Sequence, residues 1–162
     1  MLVYHGSNVP VERPEIRNTN RNLDFGNGFY TTSVLEQAQR FCQIVCSRRG
    51  GSPIISVYDL DFEAAIKSLT CKVFPAADDE WFDFVCDNRM GIYQGKKYDI
   101  ITGVVANDIV YRIFIGYLAG VTSREEALKQ LRVRELYNQI TLCTEDALKY
   151  LSFRSFEEVR DR

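Results

Sequence analysis

Three short stretches hold the residues that could do chemistry: "LVYHGS" (2–7), "NLDFGNGFYTTS" (22–33) and "LYNQITLCTEDAL" (136–148). In the first, an apolar start closes on His5-Gly6-Ser7. His5 is the single histidine of the chain, so any mechanism needing two histidines in one chain is excluded. A serine–histidine–acid site would have to use His5, and no G-x-S-x-G elbow accompanies it. In the second stretch, a loop with Gly26 and Gly28 runs into Phe29-Tyr30 and then into Thr31, Thr32 and Ser33. In the third, Asn138-Gln139 opens an apolar run. Each also has an ordinary reading. His5 can close a strand before a turn glycine, Tyr30 can be a core tyrosine, and Gln139 can be a polar residue opening a strand.

The five cysteines, at 42, 46, 71, 86 and 143, suggest no metal centre. Cys42 and Cys46 share a helical spacing, but no second ligand pair accompanies them, and zinc takes three or four protein ligands. Buried small apolar residues are the expected role. An odd cysteine count, with a start lacking the regions of a signal peptide, points to reduced thiols in a cytoplasm. Asp78, Asp79 and Glu80 cluster where a helix should begin, and they read as capping and dipole partners.

The elements that position these residues follow from pattern. Residues 1–5 and Gly28–Thr32 read as short strands, the second from its aromatic and β-branched content. The stretch from Asn8 to Arg21, with two prolines, reads as a loop. Ser33 to Glu36 fits a capping box. Val34, Ala38, Phe41 and Val45 then recur at helical spacing, and Gly50-Gly51 ends the helix. "PIISVYDLD" and "DIITGVV" read as buried strands, and "DDEWFDFVCDNRMG" as a helix. Asn107 to Leu118 fits strand or helix. "TSREEALKQL" is a helix with a second capping box, Ser123 to Glu126. "NQITLC" is a strand, and Thr144 caps "EDALKYL". Strands and helices mix without regular βαβ repetition, so the expected class is α+β, in one domain over 1–162.

Together the three stretches resemble the ADP-ribosyltransferase fold, in the branch that carries a His-Tyr-Glu triad on three separate strands. The matching residues are Tyr4-His5-Gly6-Ser7, then Gly26-Asn27-Gly28-Phe29-Tyr30-Thr31-Thr32, then Tyr137-Asn138-Gln139-Ile140-Thr141-Leu142. Along nearly all of its length the chain also looks like small bacterial proteins of this fold suspected to be toxins of toxin–antitoxin pairs. The resemblance implies a split, mixed or antiparallel β-sheet core with flanking helices. It further implies NAD as co-substrate, ADP-ribose transfer to a macromolecular acceptor with possible NAD glycohydrolase side activity, and a small antitoxin partner.

Residue by residue, the resemblance implies that His5 bonds the adenosine ribose and that Gly6, with Ser7 beside it, lets backbone approach the nicotinamide amide. Tyr30 stacks on the nicotinamide ring, and Thr31 reaches ligand or supports the strand. Arg21 pairs with the pyrophosphate or is an exposed loop charge. Gln139 stands where the family has Glu. An amide can donate and accept but carries no charge, so the positive charge of an oxocarbenium-like transition state loses its counter-charge. Asp24, in the loop that enters the same site, is the substitute acid to consider. The departure at Gln139 keeps a non-catalytic NAD or ADP-ribose binding module, or a protein-interaction domain, as alternatives.

Charge and hydropathy narrow the partners. Twenty basic residues against 22 acidic ones give a net charge of −2, which argues against a large nucleic-acid footprint. No apolar run reaches the roughly 18 residues of a membrane span, so no membrane partner is expected.

Overall fold

The computed structural model describes residues 1–18, 22–104, 108–132 and 138–160. Arg21, Tyr137 and Asn107 lie outside these residues.

The fold is mixed α+β, with two mostly antiparallel sheets and six helices among the described residues. Strand β1 (Leu2–Ser7) pairs with β3 (Ile54–Leu60), and β3 pairs with β7 (Leu151–Glu158). The second sheet runs β2 (Phe29–Thr31), β6 (Asn138–Leu142), β5 (Ile100–Val104) and β4 (Cys71–Val73). Its one parallel pair is β4–β5, and the long crossover between these two strands holds the helix α3 (Asp79–Met90), the usual form of a parallel connection. The sheets meet at one isolated antiparallel bridge, Tyr4–Thr32, whose two backbone bonds are 2.8 and 3.0 Å.

Alternation along the strands explains the layers. Val3, Phe29, Tyr58, Leu60, Ile100, Ile140 and Leu142 form the core between the sheets. Helix α1 (Leu35–Arg49) covers the outer face of the first sheet, where Ala38 and Cys42 meet Ile55 and Val57. Helices α3 (Asp79–Met90), α4 (Asp108–Leu118) and α5 (Arg124–Arg132) supply the core on the outer face of the second sheet, with Trp81, Phe82, Val110, Phe114, Ala127 and Leu131. The central strands β3 and β5 are therefore buried on both faces, which is why "IISVYDL" and "IITGV" read as continuous apolar runs.

Several local readings hold. Asp78 accepts from the Trp81 amide at 2.9 Å and caps α3. Ser123 accepts from the Glu126 amide at 3.2 Å, and Thr144 accepts from the Ala147 amide at 3.2 Å. Gly50 closes α1, its amide bonding Cys46. The 108–118 segment is helical.

Others are corrected. Ser33 does not cap α1: the N-cap position is Val34 and has no side-chain cap. Thr32 Oγ1 takes the Val34 amide at 3.0 Å instead, while Ser33 Oγ accepts from Asn138 Nδ2 at 2.7 Å. The inward face of α1 is Ala38 and Cys42, which pack on Ile55 and Val57, while Phe41 is 53% exposed. The final helix, α6, covers only Glu145–Leu148, and the chain turns back as β7. Helix α2 (Phe62–Ser68) and strand β4 were not anticipated.

Candidate functional site

The site forms where the two sheets part. Continuing the β2–β6 register one step past Thr31–Ile140 sets Thr32 opposite Gln139, and Gln139 is paired with Gly103 on β5. Tyr4, Thr32, Gln139 and Gly103 thus form one row across three joins. The polar groups at its end fasten the strands. Thr32 Oγ1 bonds Gln37 Oε1 at 2.9 Å and approaches Asn138 Oδ1 at 3.2 Å, and Asn138 Oδ1 also takes the Ser33 amide at 3.2 Å.

His5 stops the ladder between β1 and β2. The Tyr4–Thr32 pair exchanges both backbone bonds, so an antiparallel ladder would next bond Gly6 to Tyr30. The Tyr30 carbonyl is instead taken by His5 Nδ1 at 2.8 Å. By the same alternation, the Gly6 N–H and C=O aim at the gap between the sheets. A carbonyl only accepts, so Nδ1 holds the proton and the neutral ring keeps Nε2 as an acceptor. Burial pulls the His5 pKa below its usual 6.5, against the carbonyl bond, which favours the charged ring; Arg17 adds to the lowering. The imidazole lies against the Phe29 ring, 4.5 Å between centroids. Tyr4, on the other strand face, packs with the α1 side.

Glycine is needed at position 6 for contact with α1. A Cβ there would run into the Ala38 carbonyl oxygen and lie 2.9 Å from the Cys42 nitrogen. Ser7 ends β1 opposite Ile54. Thr31 is buried, and its hydroxyl donates to the Ile140 carbonyl at 2.8 Å, on the face turned away from Tyr30.

Tyr30 and Gln139 share a strand face, since Tyr30 opposes Thr141, two residues from Gln139. The Tyr30 hydroxyl donates to the Gly26 carbonyl at 2.6 Å and accepts from the Phe25 amide at 3.1 Å. Its first effect is to close the 22–28 turn, where Gly26 adopts φ 76°, a conformation that favours glycine. Burial raises the phenol's pKa well above its ordinary range, so it stays a donor. The turn in turn delivers Asp24, 6% exposed, into the protein. Asp24 Oδ1 accepts from Arg89 Nε at 2.6 Å and from Nη2 at 2.5 Å, and Oδ2 faces Gln139 Nε2 at 3.5 Å. Arg89, in the last turn of α3, also lies over the Tyr111 ring at 4.9 Å.

A shallow cleft of about 320 Å³ opens beside Gln139, lined among others by Ser33, Phe74, Thr102, Gly103 and Asn138. His5 and Tyr30 are not among its walls. A larger crevice of about 510 Å³, with Asp59, Asp61 and Glu63 on its walls, contains none of the motif residues. The Cys143 thiol, on the strand face of Tyr30, is pushed by burial to about 12 and stays protonated; it is no nucleophile at neutral pH.

The three motifs therefore converge only in part. Tyr30, Asp24 and Gln139 share one face, whereas the His5 ring lies on the Phe29 side and reaches Tyr30 through its carbonyl. Arg89 was missed: 65 residues separate it from Asp24, and in sequence a basic residue at a helix end reads as a dipole partner. Neither a curated protein nor a solved structure matches the chain. Residues 1–153 match the family described as "Protein of unknown function (DUF3990)", and the chain belongs to that family.

Proposed function

We propose that this protein is a NAD-dependent mono-ADP-ribosyltransferase that modifies a macromolecular acceptor. One observation carries the reading: His5 takes the Tyr30 carbonyl, and the β1–β2 ladder stops at the single Tyr4–Thr32 bridge; strand alternation then aims the Gly6 backbone donor and acceptor at the gap. An adjacent donor and acceptor on one backbone match a carboxamide such as that of nicotinamide. His5 Nε2 supplies an acceptor for a ribose hydroxyl, and Gln139, on the row of the bridge, lines the cleft that opens on the Met1 and Ser33 side of that row. Under this reading NAD is the co-substrate, and bond cleavage releases nicotinamide.

A second reading, a module that binds NAD or ADP-ribose without turnover, is favoured by the charges. Gln139 is neutral, and the carboxylate beside it is ion-paired with Arg89. An oxocarbenium-like centre would then find little negative potential. Purified protein incubated with adenylate-labelled NAD and cell extract separates the two. A labelled acceptor, with nicotinamide released, supports transfer. A folded protein that binds NAD and releases no nicotinamide refutes transfer and leaves the binding module. The toxin role is tested by expression in a bacterium, where the proposal expects growth arrest that Tyr30→Ala relieves; equal growth of the two contradicts it.

A further inference from the structure

Gln139 is a two-ended group whose ends do opposite things: Nε2 donates and Oε1 accepts. Its surroundings select one end. Asp24 Oδ2 lies 3.5 Å from the Gln139 amide nitrogen, and Asp24 is itself held by two Arg89 nitrogens at 2.6 and 2.5 Å. An ion-paired carboxylate accepts and does not donate, so it tolerates only the nitrogen end of the amide. Asp24 and Gln139 are 6% and 5% exposed, so water competes little for that choice.

We infer that Asp24, held by Arg89, is a positioning residue that turns the Gln139 carboxamide so that its Oε1 is offered to the cleft, where it takes a hydroxyl donor of the ligand. The inference rests on the NAD reading for the identity of that hydroxyl, one on the nicotinamide ribose. A carboxylate-bonded amide is polarised, which strengthens its oxygen as an acceptor. The charge that the third motif lacks thus acts one residue removed, through the amide. The site prefers a ligand that donates at this point and disfavours one that presents an acceptor there.

The test uses the full chain labelled with ¹⁵N, with Gln139→Ala identifying the carboxamide signals. In wild type those protons are expected to exchange with water at least about tenfold more slowly than those of exposed glutamines, as a retained hydrogen bond implies. The double variant Asp24→Leu/Arg89→Met removes both charges together, so neither is left buried alone. It is expected to lose the protection; unchanged protection would overturn the inference. Asp24→Ala/Arg89→Gln serves as the second variant should the first double variant fail to fold; it too removes the acceptor beside Gln139 and leaves no buried charge alone, with the same two outcomes.

Binding is then read with NAD and with its nicotinamide-ribose 2′-deoxy and 3′-deoxy analogues. Wild type is expected to favour NAD over one analogue by about tenfold, the worth of one hydrogen bond, and the variant to bind NAD and that analogue alike. A purely structural role would weaken both ligands equally and leave the ratio unchanged, which would overturn the inference. A wild type that binds no NAD removes the function reading, and the exchange experiment still decides the orientation of Gln139.

Discussion

Replacing Gln139 by glutamate restores the carboxylate of the resembled triad, yet the structure predicts an unstable protein at neutral pH. The new carboxylate would stand where Nε2 now lies, 3.5 Å from Asp24 Oδ2. Two like charges at such a distance repel by about 4–5 kcal/mol at an effective dielectric constant near 20. Arg89 offsets part of this. The pair can also keep a proton, which for a glutamate of ordinary pKa costs about 1.4 kcal/mol per pH unit above its pKa, and so less than about 4 kcal/mol at pH 7. The expected loss relative to wild type is about 2–3 kcal/mol at pH 7 and under about 1 kcal/mol at pH 5. The sign follows from linkage. The shared carboxyl has a folded pKa above its unfolded one, so the penalty is absent below the unfolded value and grows as pH rises toward the folded one. Urea denaturation of wild type and Gln139→Glu at pH 5 and pH 7.5 measures the difference. A difference that is the same at both pH values would refute the adjacency of Gln139 and Asp24 on which the site is built.

Three further outcomes are expected. His5 is the single histidine, and its folded pKa lies below its unfolded value near 6.5. Its contribution is therefore full above about pH 6.5 and is lost as pH falls toward the folded pKa, at up to about 1.4 kcal/mol per pH unit; denaturation between pH 7.5 and 5.5 should show this slope in wild type and not in His5→Gln, and an equal slope in both contradicts it. Gly6→Ala forces α1 away from β1, for an overpacking cost of about 1–3 kcal/mol, read as a lowered urea midpoint; an unchanged midpoint would mean the helix does not rest on Gly6. Tyr30→Phe leaves the Gly26 carbonyl and the Phe25 amide without their hydroxyl, costing about 1–2 kcal/mol and lowering Tm by several degrees for a chain of this size; an unchanged Tm contradicts the pinning of the turn.

The parts of the fold legible in sequence were those whose signal is local. Capping by Asp78, Ser123 and Thr144 needs only a few neighbouring residues, and all three caps form. The apolar runs of β3 and β5 announce strands buried on both faces. Ser33 misled because its capping pattern is genuine locally, but Asn138, from the far end of the chain, takes its hydroxyl. Strand β7 was missed because only Leu151 of its eight residues is buried, so its sequence shows no core-facing alternation. In the candidate site, residue types at His5, Tyr30 and Gln139 marked three strands that the fold sets side by side, β1 bridging to β2 and β2 pairing with β6. What they could not show is that the Tyr30 hydroxyl closes its own turn, that the His5 ring faces the other core, and that Arg89 joins from α3. The last two depend on pairings across 25 and 65 residues, which no local pattern encodes; the first is a contact of four and five residues, but strand alternation alone does not say that the hydroxyl folds back on its own turn.

The central claim, that the parting of the two sheets beyond Tyr4–Thr32 holds NAD, is tested most directly by following backbone amide shifts of the ¹⁵N-labelled protein during NAD titration. The account predicts saturable shifts at Gly6, Ser7, Thr32, Asn138 and Gln139, with the strands far from the gap unmoved. No saturable shift at millimolar NAD, or shifts confined to the crevice beside Asp59 and Glu63, would contradict it.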